Sequence, residues 1–296
     1  MPRFKRVIIW ASISLQGYAT LAAISHSFWF FPLPQGLPFY PVVGVMFFIG
    51  STVLHVMLTS EFARKTQLEA DQVAAQLIQQ SLTPETLENV PGYDVEAFYK
   101  PFSQIGGDYF DVIALPGNRT LFAIADVSGK GMAAALLSAN IQALVRSIAS
   151  VEVDPLVFAD RINHHLSRYT PLDRYATAVF LVLSAETGEL TYVNAGHNAP
   201  MVFTSGSTSL LEPTGMPLGM FAGATYVSGT SILPLGGVLL LFTDGLPDSI
   251  SGDHSDRDLR AVLAGDPART MVNLKSLVDP EFNEDDVTIL VVKRAL

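Results

Sequence analysis

The spacing of apolar positions along the chain changes character twice, and each change predicts a different kind of element. From Val7 to Phe31, and again from Phe39 to Ser60, there is no Lys, Arg, Asp or Glu. Each run exceeds the roughly 20 residues a helix needs to cross a hydrocarbon layer. The PLPQGLP stretch at 32–38 separates them, and its prolines cannot continue a helix because they lack the amide and clash with the preceding turn. The pattern predicts a two-helix transmembrane hairpin, about 7–31 and 39–60. Arg3, Lys5 and Arg6 precede the first span, Arg64 and Lys65 follow the second, and the loop between is uncharged. The positive-inside tendency then places both termini in the cytoplasm. A cleaved signal peptide fits less well, because the first run is too long for a signal core and a second follows directly. Trp10, Trp29 and Tyr40 fall near the span ends, and His26 and His55 read as interfacial residues.

Residues 61–82 contain no Gly or Pro and carry apolar positions at Val73, Ala74, Leu77, Ile78 and Leu82. This three-four spacing predicts a linker helix with one apolar stripe, ended by Thr83-Pro84. Such a stripe suits either packing on its own domain or a short parallel coiled coil in a homodimer. From Pro91 onward the period becomes two. YDVEAFYKP, DYFDVIAL, RTLFAIADV, YATAVFLVL, LTYVNA, PMVFT, GVLLLFTD and DDVTILVVK all read as strands, with ETGE (186–189) as a hairpin turn. Helices are expected at 131–149, 155–169 and within about 255–278. Many strands with clustered helices predict an α+β layered sandwich. The organisation is a membrane hairpin (1–60), a linker helix (61–90) and a globular domain (91–296).

Composition sharpens this division. The 296 residues are 49% hydrophobic and only 16% charged, against roughly 25% in a typical soluble domain. Residues 1–60 hold three basic residues and no acid, which leaves 15 basic against 28 acidic residues beyond them, a net of −13. No basic footprint for nucleic acid exists in such a chain. The absence of cysteine excludes disulfides, thiolate zinc sites and cysteine nucleophiles.

The acids are placed unusually. Asp108 follows Gly106-Gly107 at the start of a strand, Asp126 ends LFAIA, Asp244 ends GVLLLFT, and Asp285 and Asp286 precede VTILVV. A carboxylate at the edge of an apolar core is costly unless paired or metal-bound. One such Asp is ordinarily a turn or helix-cap residue, but four sites at strand ends are not explained that way. With only Lys130 close in sequence to compensate them, they point to hard, oxygen-ligated ions, Mn²⁺ or Mg²⁺ rather than zinc.

GGDYFD (106–111), ADVSGKG (125–131), NAGHNAP (194–200), GMPLG (215–219), TDGL (243–246) and DDVTILVV (285–292) occur in this order. Together they resemble the metal-dependent type 2C (PPM) protein phosphatases, in particular the bacterial sporulation-stage-II-E-like and sigma-factor-regulating serine phosphatases, over roughly residues 68–294. The resemblance implies an αββα sandwich with two Mn²⁺ or Mg²⁺ ions between its sheets. Asp126 would bridge both ions, the Val127 carbonyl would help hold one, and Asp108 would contact an ion directly or through water. Asp244 and Asp285 would complete the set, with Asp286 behind them. It also implies hydrolysis of phosphoserine or phosphothreonine by a hydroxide that two metals activate. The substrate would be a phosphorylated regulatory protein, such as an anti-sigma-factor antagonist, met at the bacterial inner membrane by a cytoplasmic catalytic domain. Two positions depart from the family pattern: Gln104, where an acid is usual, and Pro247-Asp248, where a Glu is usual after TDG. Lys130 and His197 read as a phosphate contact and a general acid, or as a solvated loop lysine and a turn histidine. A tethered pseudophosphatase that binds phosphoprotein without hydrolysis is the alternative, and the intact carboxylate set counts against it.

Overall fold

The computed structural model describes Gly17 and residues 39–82, 87–103, 105–171, 173–204, 207–250, 259–262, 269–278 and 284–296. Apart from Gly17, the expected first span lies outside the described residues, as do Gln104 and most of the helical region expected at 255–278. The chain divides into two compact units, Met1–Asp71 and Gln72–Leu296.

The expected second span and linker form one uninterrupted helix, α1 (Phe39–Leu82), which ends where Thr83-Pro84 predicts. In the first unit, Val45, Met46, Ile49, Leu54, Met57 and Phe62 on this helix are exposed. Gly17 is helical, and a Cβ on it would lie 3.2 Å from the Phe48 ring. Further along α1, in the second unit, Val73 and Leu77 of the linker stripe are exposed at 47% and 62%.

The second unit is built on strands β1 (Tyr93–Lys100), β2 (Tyr109–Leu115), β3 (Arg119–Val127), β4 (Ala176–Ser184), β5 (Glu189–Ala195), β6 (Met201–Thr204), β7 (Ser207–Leu210), β8 (Gly229–Ile232), β9 (Val238–Phe242) and β10 (Val287–Arg294). They form two five-stranded sheets, ordered β1-β10-β9-β6-β7 and β2-β3-β4-β5-β8, in which every neighbouring pair is antiparallel. All eight strand segments expected from the sequence are present. The two short strands that were not expected, β7 and β8, are polar edge strands (STSL and GTSI) whose state is set by pairing with β6 and β5.

Period-two alternation divides each central strand between two cores. Phe122 and Ile124 of β3, with Leu181 of β4, pack against Leu239, Leu241, Leu290 and Val292 between the sheets. Leu121, Ala123 and Ala125 face the other way, onto helices α2 (Met132–Ala149) and α3 (Pro155–Tyr169). The opposite outer face carries Leu240, Ile289 and Val291 against α4 (Gly245–Asp248) and α5 (Thr270–Leu277). The layers are helix, sheet, sheet, helix, as expected for an α+β sandwich. Helix α2 is long and apolar enough to cross a membrane by length and composition, but half of it is buried, and its Leu137, Ile141 and Val145 belong to the outer core. It is a core helix of the sandwich.

An ion pair between a buried carboxylate and a half-exposed arginine clamps α2 to its sheet. Asp111 on β2 is fully buried and receives Arg146 Nε at 2.7 Å and Nη2 at 3.0 Å. Its Oδ2 also accepts the Tyr109 hydroxyl at 3.2 Å. Removing the guanidinium strands a buried carboxylate, so Arg146→Met should destabilise the protein by about 3 kcal/mol. Pairing that change with Asp111→Leu should recover most of the loss. Equilibrium urea unfolding of the two variants measures both, and an Arg146→Met transition unmoved from wild type would show that the pair contributes nothing.

Candidate metal and catalytic site

The site forms where both sheets end on the same side. Asp108 precedes β2 and Asp126 lies at the end of β3, in the first helix-backed sheet; Asp244 follows β9 and Asp285 precedes β10, in the other. Hydrogen bonds tie the two ends together. Asp108 Oδ2 accepts the Thr243 hydroxyl at 2.8 Å and the Thr288 hydroxyl at 2.5 Å, so one buried carboxylate is held by residues of the facing sheet. Ser138 Oγ on α2 donates to the Asp108 carbonyl at 3.1 Å. Asp286, buried behind Asp285 as expected, accepts the amides of Phe102 (2.7 Å), Gly107 (2.5 Å) and Asp108 (3.4 Å). It thereby fixes the loop that delivers Asp108.

Two glycines of the motifs are required by space rather than by φ. A Cβ on Gly106 would overlap the Tyr99 hydroxyl and the Asp286 carboxylate, and one on Gly245 would collide with the Asp286 carbonyl. The Val127 carbonyl lies beside Gly107, 3.3 Å from where its Cβ would be. This puts the carbonyl expected to hold an ion at the same turn as Asp108.

The acids feel one another's charge. Burial, then repulsion from Asp244, Asp285 and Asp286, pushes the Asp126 carboxyl up to about 7. Burial, followed by the Asp126 charge, raises Asp108 well above the ordinary carboxylate range against the pull of its two hydroxyl donors. Asp244 is raised by burial, then by Asp285 and Asp248; the Asp of the departing Pro247-Asp248 pair therefore adds negative charge here. Asp286 is raised by burial despite its three amide donors. Among the described residues, no three of these side chains form a group close enough to hold a metal. They do share one electrostatic environment, their donors are all oxygens, and their repulsion lacks a compensating charge of comparable size. A pair of hard divalent cations fits such a set.

Lys130 sits at the rim. Its Nζ pairs with Asp285 Oδ2 at 3.1 Å, donates to the Glu284 carbonyl at 2.6 Å and lies 5.0 Å from the centre of the Phe102 ring. Phe102, Ile105, Gly107, Gly129, Lys130, Asp285 and Asp286 line a cavity of about 320 Å³. His197 lies outside this cavity's lining and is buried. Its Nδ1 is 2.8 Å from the Thr177 hydroxyl, its amide donates to Asn194 Oδ1 at 2.7 Å, and burial lowers its pKa to about 4. A neutral histidine held in the NAGHNAP turn is what this geometry provides. Thr177 pairs in register with Asp126, so His197 braces the strand beside the central acid. Thr243, Thr288, Tyr99 and the Asp111–Arg146 pair were not singled out by sequence reasoning. The alternation of TDGL and DDVT around Thr243 and Thr288 was the available signal for the first two.

Comparison with known proteins agrees with this geometry. Residues 116–295 match the family model described as stage II sporulation protein E (SpoIIE). Phosphoserine phosphatase RsbP of Bacillus subtilis (strain 168) is 25% identical over 246 residues, 78% of this chain and 59% of the relative, so the chain spans about three fifths of that protein. The crystal structure of the RsbU and RsbW domains of Rv1364c from Mycobacterium tuberculosis superposes with a TM-score of 0.63 at 27% identity, over 71% of this chain and 63% of that one. RsbX in complex with magnesium shares the fold at a TM-score of 0.58 and 24% identity, over 70% of this chain and 98% of that one.

The raised Asp126 pKa has a definite sign. A carboxyl raised to about 7 in the fold binds a proton between roughly pH 4 and 7 that the unfolded chain has released, so metal-free stability falls as pH rises through that window. Asp126→Asn should remove this loss, leaving the metal-free protein roughly 2 to 4 kcal/mol more stable than wild type at pH 8. The same variant should lose the stabilisation that Mn²⁺ gives the wild type. Thermal unfolding at pH 5 and 8, with and without Mn²⁺, checks both, and equal pH profiles for the two proteins would disprove the repulsion.

Proposed function

This chain belongs to the stage II sporulation protein E family, and we propose from that premise that it is a membrane-anchored, metal-dependent serine/threonine protein phosphatase. The observation that carries the activity is the convergence of Asp108, Asp126, Asp244 and Asp285 at one end of the two sheets, beside a cavity large enough for a phosphoryl group. Asp126, the Val127 carbonyl, Asp244 and Asp285 are the residues that would hold two Mn²⁺ or Mg²⁺ ions, with Asp108 against one of them directly or through water. The magnesium in RsbX and the all-oxygen donor set support that choice. When bound, such ions supply an activated water nucleophile and polarise the phosphoryl oxygens.

The protein's own part is positional. Thr243 and Thr288 fix the Asp108 carboxylate, Asp286 fixes the loop before it, and the Asp111–Arg146 clamp with Ser138 holds α2 against β2. The chain has no cysteine and His197 lies outside the cavity lining, so neither a thiol nor this imidazole is placed to form a phospho-enzyme there, and direct attack by water fits that arrangement. The name of RsbP, a phosphoserine phosphatase, supports a phosphoserine or phosphothreonine on a regulatory protein as substrate, of the anti-sigma-factor antagonist kind.

Anchoring is supported by the charge-free runs at 7–31 and 39–60, and by apolar side chains on several faces of α1 left exposed between Val45 and Phe62. A helix apolar all round is stable in lipid or a protein core, not in water. The approach of Gly17 to Phe48 supports two helices packed as a hairpin. Exposure of Val73 and Leu77 supports pairing of the linker helix with a second copy. In this reading the globular domain faces the cytoplasm at the inner membrane.

Two measurements test the proposal. With Mn²⁺, the full chain should hydrolyse p-nitrophenyl phosphate and a phosphoserine peptide. Chelator or Asp126→Asn should reduce kcat at least about a thousandfold, the scale expected when the group that binds both activating ions is removed. A folded protein that binds Mn²⁺ yet turns over neither substrate would favour the pseudophosphatase. In membrane fractionation, the full chain should stay in the pellet after alkaline carbonate while residues 61–296 leave it; release of both would end the anchoring reading.

A further inference from the structure

We propose that Lys130 is a two-position residue. In the structure its ammonium pairs with Asp285; with divalent cations held by the acids in its place, it would turn into the cavity and bind the phosphoryl group of the substrate. The inference rests on the phosphatase reading and assigns the residue that captures the substrate anion.

The present contacts define the first position. Lys130 Nζ is 3.1 Å from Asp285 Oδ2 and bonds the neighbouring Glu284 carbonyl at 2.6 Å, with the Phe102 ring beneath it. Its charge also reaches Asp244, whose raised pKa it partly lowers. Among the described residues, this is the ion pair made by any of the site's carboxylates other than Asp111. The ammonium thus stands where cation charge is most needed, on a residue expected to bind metal.

The strength of the contact is the deciding magnitude. Both side chains are substantially exposed, 58% for Lys130 and 40% for Asp285, and an exposed pair of this kind is worth about a fewfold in equilibrium at most. A divalent cation drawn by several carboxylates outcompetes it. The freed side chain has room to move. Gly129 and Gly131 flank Lys130 at φ +92° and +75°; nothing lies within 4 Å of a Cβ built at Gly131, whereas one at Gly129 would meet the Arg174 guanidinium, so the open space is on the Gly131 side. The stem of the loop is nevertheless fixed: Arg174 Nη1 donates to the Ser128 carbonyl at 3.1 Å, and the Tyr175 amide donates to Ser128 Oγ at 3.0 Å. Only the tip can swing, and Lys130 lines the same cavity of about 320 Å³ as Asp285 and Asp286. A flexible four-carbon stem with three rotatable donors suits a phosphoryl group whose oxygens are reached from one side.

The test is calorimetric titration of the full chain in detergent, first with Mn²⁺ alone and then, on the Mn²⁺-loaded protein, with inorganic phosphate. Lys130→Gln should bind Mn²⁺ about threefold tighter than wild type, because no ammonium has to be displaced. The same variant should bind phosphate about tenfold more weakly, the loss of one charge-assisted bond. Lys130→Arg should restore phosphate binding while keeping wild-type Mn²⁺ affinity. Unchanged or weaker Mn²⁺ binding in Lys130→Gln, or unchanged phosphate binding, overturns the inference and leaves the phosphatase reading standing. A wild-type protein that binds neither Mn²⁺ nor phosphate overturns both.

Discussion

Mutual repulsion among carboxylates at the joined ends of two sheets is the constraint around which the globular unit is organised. Asp126 meets Asp244, Asp285 and Asp286, and Asp108 meets Asp126. Left alone, such a cluster would favour splaying of the sheets. At Asp108 and Asp286 the structure resists this with neutral donors rather than cations. Two threonine hydroxyls hold Asp108 and three amides hold Asp286, and all but the Phe102 amide cross from one sheet end to the other. Neutral donors orient a carboxylate without cancelling its charge, which leaves the charge available to a metal. The contrast with Asp111 is informative. There a bidentate arginine consumes the charge, and the pair serves only to fix a helix.

The apolar core makes that arrangement rigid. Strands β3 and β4 are buried on both faces, so a shift of either would disturb packing in two layers at once. The acids lie at the ends of β2, β3, β9 and β10, and the outer faces of β9 and β10 pack on α4 and α5. Glycine at positions 106 and 245 lets loop backbone approach the Asp286 side chain and carbonyl more closely than any Cβ would permit. Burial raises the electrostatic stakes: the low polarity that stiffens the strands also raises the acids' proton affinity. Stability and function therefore pull in opposite directions at Asp126.

Much of this was legible in the sequence because it is local. Period-two runs predicted eight strands, Thr83-Pro84 predicted the end of α1, and the position of each Asp at a strand end pointed to shared chemistry before any fold was known. What was not legible depends on long separations or on pairing. Arg146 and Asp111 are 35 positions apart and Thr288 and Asp108 are 180 apart, and no periodicity links them. Strands β7 and β8 are four polar residues each, and only the neighbours they pair with make them strands. The choice between a solvated loop lysine and a site lysine at 130 turned on a partner 155 positions away. Nothing in DVSGKG alone would have decided it.

The charge division along the chain then acquires a physical order of events. The chain carries a net of −13 beyond residue 60, and Asp285 and Asp286 of the acid cluster line the cavity that the proposed function assigns to a phosphoryl group. An anionic phosphoprotein, the substrate proposed above, would be repelled by that cavity until cations occupied it, since like charges at close range in a partly buried site are costly. Divalent ions are attracted by the same field. In the proposed function, metal loading would therefore turn the cavity from one that rejects the substrate into one that accepts it. A single ammonium on a glycine-flanked loop, paired with Asp285 but exposed enough to be displaced, is placed where those two states meet.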